Sequence, residues 1–193
     1  PIEIVDPKEN NQEMINEYAY IYWKKEERKG LTLLASKKLM RERNYFGAMM
    51  VNAGDADALI TGYSKSYPNV VKPILKLIGL DDGATRIATT NLLITERGPL
   101  FLSDTSINID PSASDLAKIA QMTAATVKMF GIEPVIAMTS YSNFGSSKDI
   151  SATKVRNAVK YLHRSSPDLI VDGELQTDFA LNNEMRNDIF PFS

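Results

Sequence analysis

The sequence predicts an α/β domain in which helices cover a mostly parallel sheet. Short apolar runs of strand length alternate with segments of helical periodicity, as they do where a parallel sheet is buried on both faces. The periodic segments end at glycines, Gly30, Gly54 and Gly131, which permit the left-handed turn that stops a helix. Apolar residues make up 44% of the 193, enough to fill a core.

In chain order, residues 2–5 are the first strand candidate. A helix is predicted over 11–27, with Met14, Tyr18, Ile21 and Tyr22 on one face, ending at Lys29-Gly30. Thr32 stands where a hydroxyl caps a free amide, ahead of Leu34, Ala35, Leu39 and Met40 at helical spacing. A short helix over 45–53 closes at Gly54, and 57–62 reads as a strand that opens into a loop. Residues 70–78 form a helix with Pro73 in its first turn, where a missing N–H costs little. Residues 79–83 are the boundary between two subdomains, 1–83 and 84–193. Beyond it, 86–95 and 100–104 flank Glu96-Arg97-Gly98-Pro99 as an antiparallel hairpin. The clearest helix covers 114–130, with Leu116, Ile119, Ala120, Thr123, Val127 and Phe130 on one face. Residues 135–138 form a buried strand, 151–164 a helix burying Val155, Ala158, Val159 and Leu162, and 169–171 a strand opening into Asp172-Gly173. The chain starts on a strand and stops without a closing helix, so both ends are expected to be incomplete.

Composition narrows the function. Basic and acidic residues are interspersed and the formal net charge is −2, so no nucleic-acid footprint stands out. The chain has no cysteine, which removes disulfides, thiolate nucleophiles and cysteine-ligated metals and agrees with a cytoplasmic protein. No run has the length of a membrane span or a signal peptide. Neither G-x-x-x-x-G-K-[ST] nor G-x-G-x-x-G occurs, which disfavours autonomous ATP hydrolysis or hydride transfer.

Ligands of open α/β sheets bind where strands end and loop amides and helix N-termini converge. The candidate loops are therefore 62–69, with Ser64 and Lys65 and with Lys72 beyond it; 140–148; and 172–176, with Asp172 and Gln176. In the second, Gly145 lets backbone amides approach an anion while Ser140, Ser142, Asn143, Ser146 and Ser147 donate hydrogen bonds, a cradle for phosphate or pyrophosphate. The competing reading is a polar loop that caps the next helix. His163, the one histidine, falls late on an amphipathic helix and reads as a helix-end residue. Asp55 and Asp57 read as turn caps, 24–29 as a solvated charged face, and the eight methionines as core filler.

Six segments, 4–7, 28–32, 45–62, 104–111, 130–142 and 167–178, together resemble the phosphate acetyl/butyryltransferase family in order and spacing. A sharper resemblance is to the phosphotransacetylase-like C-terminal domain of bacterial NADP-dependent malic enzymes, in Ser-Asn-Phe-Gly-Ser-Ser at Ser142 to Ser147 and in Asp172-Gly173-Glu174. Two departures from the transferase pattern agree: Lys72 stands before Pro73 where that family has arginine, and Glu26 replaces an arginine ahead of Lys29-Gly30. The family's catalytic Ser-Arg and Asp lie beyond the end of this chain.

The resemblance implies an isocitrate/isopropylmalate dehydrogenase-like three-layer sandwich that forms homo-oligomers through its second subdomain, without nucleic-acid or membrane partners. It implies acetyl-CoA as an allosteric effector and no cofactor or catalytic residue in this stretch. NADP and a divalent metal would belong to the catalytic part of the parent enzyme. The alternative it implies is part of a genuine phosphate acyltransferase.

Overall fold

The computed structural model describes residues 4–8, 11–80 and 84–193. The chain separates into two compact units, Pro1–Ala84 and Thr85–Ser193.

The described part of the first unit is helical: α1 (Gln12–Glu26), a 3-10 turn (Glu27–Lys29), α2 (Leu33–Leu39), α3 (Arg43–Ala53) and α4 (Tyr67–Leu77). Gly30, at φ +90°, ends the turn after α1, and the Thr32 hydroxyl accepts from Ala35 N at 3.2 Å to start α2. The core gathers Ile15, Tyr18, Tyr22, Met40, Phe46, Met49 and Leu77. The buried face of α1 is Ile15, Tyr18, Ala19 and Tyr22, so Ile21 points partly outward, one step round from the predicted stripe. Tyr18 donates to Asp55 at 2.5 Å, which makes Asp55 a partner of the core phenol in place of a turn cap. Burial first, and then that carboxylate, push the Tyr18 pKa far above its ordinary value.

Helix α4 starts a turn earlier than predicted, with proline already at its first positions, so Pro73 lies inside it. A proline at 73 leaves the Asn69 carbonyl without its helical donor. Asn44 supplies one, Nδ2 donating to Asn69 O at 3.3 Å. The predicted strands of this unit are absent among its described residues. Residues 57–62 run as irregular chain, and Leu59 lies so close on α3 that a Cβ at Gly47 would sit 2.8 Å from its Cδ1. A strand needs a paired neighbour; residues 1–3 of the other candidate fall outside the described residues, as do residues 81–83 of the boundary segment, and Ile4 and Val5 are irregular.

The second unit begins with the predicted hairpin, β1 (Thr90–Thr95) against β2 (Gly98–Ser103), antiparallel with Thr95 opposite Gly98. Asp104 closes its base, accepting from Thr89 N and Oγ1 and from Asn108 N and Nδ2. Burial alone would raise the Asp104 pKa, but these bonds outweigh it and hold the carboxyl far below its usual range. Next come α5 (Ala113–Met129), β3 (Val135–Thr139), α6 (Ile150–Ser165), β4 (Ile170–Leu175), and two short helices not predicted, α7 (Thr177–Leu181) and α8 (Asn183–Ile189). A full capping box starts α5, Ser112 Oγ accepting from Asp115 N and Asp115 returning the bond to Ser112 N. Phe130 is 57% exposed, outside the buried stripe predicted for this helix, and meets Phe101 edge-on.

Strands β3 and β4 are parallel, joined by α6, and α5 and α6 bury Ala117, Ala120, Met138, Ala158, Val159, Leu162 and Val171 between themselves and the strands. Among the described residues, the mostly parallel sheet expected from the sequence is one antiparallel and one parallel pair, not hydrogen-bonded to each other. The His163 ring on α6 bonds Val171 O at 3.0 Å, which ties helix to strand.

Candidate functional site

The carboxyl ends of β3 and β4 carry the loop richest in polar groups. Thr139 pairs with Leu175 across a register shift, and Ser140 N donates to Leu175 O at 3.0 Å, so residues 140–148 and 176 leave the sheet side by side. Gly173 makes that shift sterically possible: its φ is +136°, and a Cβ there would lie 2.5 Å from Met138 O.

The loop does wrap an anion, and the anion is the protein's own. Glu174, 0% exposed, accepts at Oε1 from Gly145 N (2.8 Å), Ser142 Oγ (3.0 Å) and Arg156 Nη2 (2.8 Å), and at Oε2 from Arg156 Nε (2.8 Å). Burial pushes its pKa up, yet the bonds from Arg156, Gly145 and Ser142 prevail and bring it down to about 2. Arg156 also donates to Ser147 O at 2.8 Å, which ties the far end of the loop to the same carboxylate. Phe144, at φ 44°, holds a left-handed conformation unusual for a bulky residue. Its N–H bonds Glu174 O at 2.8 Å and its ring meets Phe190 and Phe192 edge-on, centroids 5.0 and 5.1 Å away.

The other candidate groups of the loop are also mutually engaged. Asn143 N donates to Ser146 Oγ, Ser147 N to Ser142 Oγ, and Ser142 N to Ser140 Oγ. Asn143 Nδ2 donates to the Gln176 side chain at Oε1 (2.8 Å), and the Gln176 main-chain N–H donates to Asn143 Oδ1 (2.7 Å). Asp172 accepts from Gly173 N and from Ser193 Oγ. The α6 N-terminus is capped by Asp149, whose side chain accepts from Ser151 N at 2.8 Å. The Gly145 amide and the α6 N-terminus therefore already hold carboxylates, and the amides of Ser142, Asn143, Ser146 and Ser147 bond the loop's own hydroxyls and carbonyls. Tyr141, Ser146 and Lys148 remain exposed on the outer surface of the loop.

Ser64, Lys65 and Lys72 lie in the first unit, all exposed, the first two just ahead of α4 and Lys72 on it. The rest of the predicted residues are brought together in the second unit. Sequence reasoning passed over Arg156 and gave Glu174 no role. The signal was slight: Glu174 lies between the apolar run Leu169 to Val171 and Leu175, and a carboxylate carried into the core on that strand needs a cation once buried.

Fold and site together define an α/β protein whose binding-type loop emerges at the carboxyl ends of parallel strands. The phosphate acetyl/butaryl transferase family matches over residues 1–193, and the chain belongs to that family. An NADP-dependent malic enzyme of Haemophilus influenzae is 36% identical over 192 residues, 99% of this chain and 25% of that enzyme. A phosphate acetyltransferase of Bacillus subtilis is 41% identical over 158 residues, 80% of this chain and 48% of its own length. Among solved structures, the EutD phosphotransacetylase of Staphylococcus aureus superposes with a TM-score of 0.80 at 30% identity, covering 99% of this chain and 58% of that one. The chain thus spans about a quarter of the malic enzymes it matches and about half of these transferases. Among the described residues, no helix is long and apolar enough to cross a membrane.

Proposed function

We propose that the chain is a phosphotransacetylase-like regulatory and oligomerisation domain of a cytoplasmic NADP-dependent malic enzyme, binding acetyl-CoA as an allosteric effector. The observation that carries this reading is the closed loop: the groups that would grip a transferable phosphoryl oxygen are engaged with Glu174 and Asp149. Such a loop is shaped to be contacted and held rather than to run acyl transfer, which needs donors free to meet developing charge. In this reading Lys65, Lys72 and Ser64 meet the coenzyme's phosphates as side-chain donors. Within the second unit, taken by itself, Ser140, Ser146, Ser147 and Asp172 are the candidate contacts of the loop, while Ser142, Asn143, Gly145 and Gln176 set its shape. NADP, the divalent metal and the oxidative decarboxylation of malate to pyruvate belong to polypeptide outside this chain. The complete domain is an isocitrate/isopropylmalate dehydrogenase-like three-layer sandwich, and copies of it pair through the second unit. Inhibition then requires acetyl-CoA to bind two conformations of the parent unequally.

A second reading, part of a phosphate acetyltransferase, is favoured by the Bacillus subtilis relative and the superposable phosphotransacetylases. Calorimetry of the intact protein with acetyl-CoA, beside assays of malate oxidation and of acetyl-CoA formation from acetyl phosphate, separates the two. Binding weakened by Lys72→Ala and Ser147→Ala, together with malate oxidation, supports the regulatory domain. No binding removes it, and acetyl transfer without malate oxidation establishes the transferase.

A further inference from the structure

Helix α6 carries four basic residues, Lys154, Arg156, Lys160 and Arg164, and no acidic one, in a chain whose formal net charge is −2. Two of the four are committed, Lys154 to Asp110 and Arg156 to Glu174. Among the described residues, Arg164 meets no carboxylate, and neither does Lys118 on the neighbouring α5. Both line one groove of about 370 Å³ between the two helices, together with Tyr161, Gln121 and Ser165. Ala117, 5% exposed, is the small residue that leaves room for it. Among the described residues no acidic side chain lines this groove, and Asp115, the one acid of α5, is held by Arg86 and Ser112. Two like charges sharing a groove repel, a cost that a bound anion reverses. The last turn of α6 ends here, and the roughly half negative charge of a helix C-terminus is outweighed by two full positive ones. Donors remain available as well. Lys118 Nζ gives one N–H to Thr85 Oγ1 at 3.0 Å and keeps two. Gln121 Nε2 donates to Ser165 Oγ at 3.1 Å and to Ser166 Oγ at 2.8 Å, so the Ser165 oxygen accepts in that bond and its own proton is left to donate.

We propose that the groove between α5 and α6 binds a small phosphate ester, with Lys118 and Arg164 as its charge partners and Ser165 and Tyr161 as hydroxyl donors. The mixture of donors names the ligand class. A guanidinium fork grips two phosphate oxygens while an ammonium serves as a point charge, and a phosphate group has acceptors enough for both and for the hydroxyls. The volume, about 370 Å³, is that of a small-molecule site. The Tyr161 ring, 48% exposed, flanks the groove and offers an apolar surface to the organic part of the ester. The groove lies wholly within the second unit and uses none of residues 140–148, so it stands apart from the acetyl-CoA reading.

The test is calorimetry of the intact protein with inorganic pyrophosphate, at an ionic strength held constant with chloride. Arg164→Gln and Lys118→Gln are each expected to weaken binding more than about fivefold. Arg164→Lys, which keeps the charge and loses the fork, should fall between Arg164→Gln and the wild type. Lys160→Gln removes the same charge from α6 outside the groove and should change the affinity less than about twofold. All four variants replace exposed side chains, so their thermal melts should match the wild type. Amine labelling of Lys118, followed on its own peptide by mass spectrometry, should slow when pyrophosphate is present. Absence of binding overturns the proposal, as does equal weakening by Lys160→Gln and Arg164→Gln, which marks a diffuse field and no site. Binding that survives Arg164→Gln but is lost in Lys72→Ala also overturns it, because the anion then sits in the first unit. Polyglutamate that binds through Arg164 where pyrophosphate does not overturns it in favour of an acidic protein surface.

Discussion

Glu174 and Arg156 are worth more to the loop than any of its serines, because a buried charge and its cation must be satisfied together. Glu174→Ala removes the carboxylate and leaves the Arg156 guanidinium facing Ser142 and Gly145 unpaired. A loss of about 3 kcal/mol is expected, read from the urea midpoint. The pH dependence follows from the same group. Its folded pKa, about 2, lies below the ordinary 4.5, so its stabilisation is complete above pH 4.5 and is lost as pH falls toward 2. Between those values the wild type should lose stability more steeply than Glu174→Gln in matched denaturation series. Gly173→Ala is predicted to cost more than the usual 1 to 3 kcal/mol of a strained backbone position. The added methyl meets the Met138 carbonyl at 2.5 Å, and backbone cannot swing aside as a side chain can. Loss of cooperative thermal unfolding in the second unit is the readout.

At the scale of elements, caps decide where helices begin and carbonyl partners decide how they survive. Ser112→Ala breaks the capping box of α5 and should cost about 1 kcal/mol, a downward shift in melting temperature without change in secondary structure by circular dichroism. The capping logic was readable at Thr32, and helical periodicity located α1, α3, α5 and α6 to within a turn. It was not readable at Pro73, because the donor that compensates it, Asn44, lies on another helix. The short α7 and α8 have no buried residues and so leave no amphipathic stripe to read. Residues 57–62 were misread for the opposite reason: a short apolar run is compatible with a strand, but only a neighbour makes it one.

For the molecule as a whole, apolar surface is the unfinished business of the second unit. On β1, Leu92, Leu93 and Ile94 are 40%, 43% and 80% exposed, along a strand that among the described residues is paired on one side only. Such an edge invites pairing between chains. Ile94→Lys is expected to shift the 193-residue chain toward smaller species in size-exclusion chromatography with light scattering. Thermal stability should hold within about 0.5 kcal/mol, as for other surface substitutions.

Local and periodic information sufficed for the α/β class, the hairpin, the helix caps and the loop at residues 140–148, because each depends on residues close in sequence, but not for the arrangement of the sheet. Family membership followed from ordered segments for the same reason. Only tertiary structure decided what that loop encloses. Glu174 lies 18 residues from Arg156 and 29 from Gly145, and nothing local says that a strand, a helix and a loop will bring them onto one carboxylate. A phosphate cradle and a cradle for a buried glutamate require the same glycine and the same hydroxyls; which anion fills it is set by the chain's path in space.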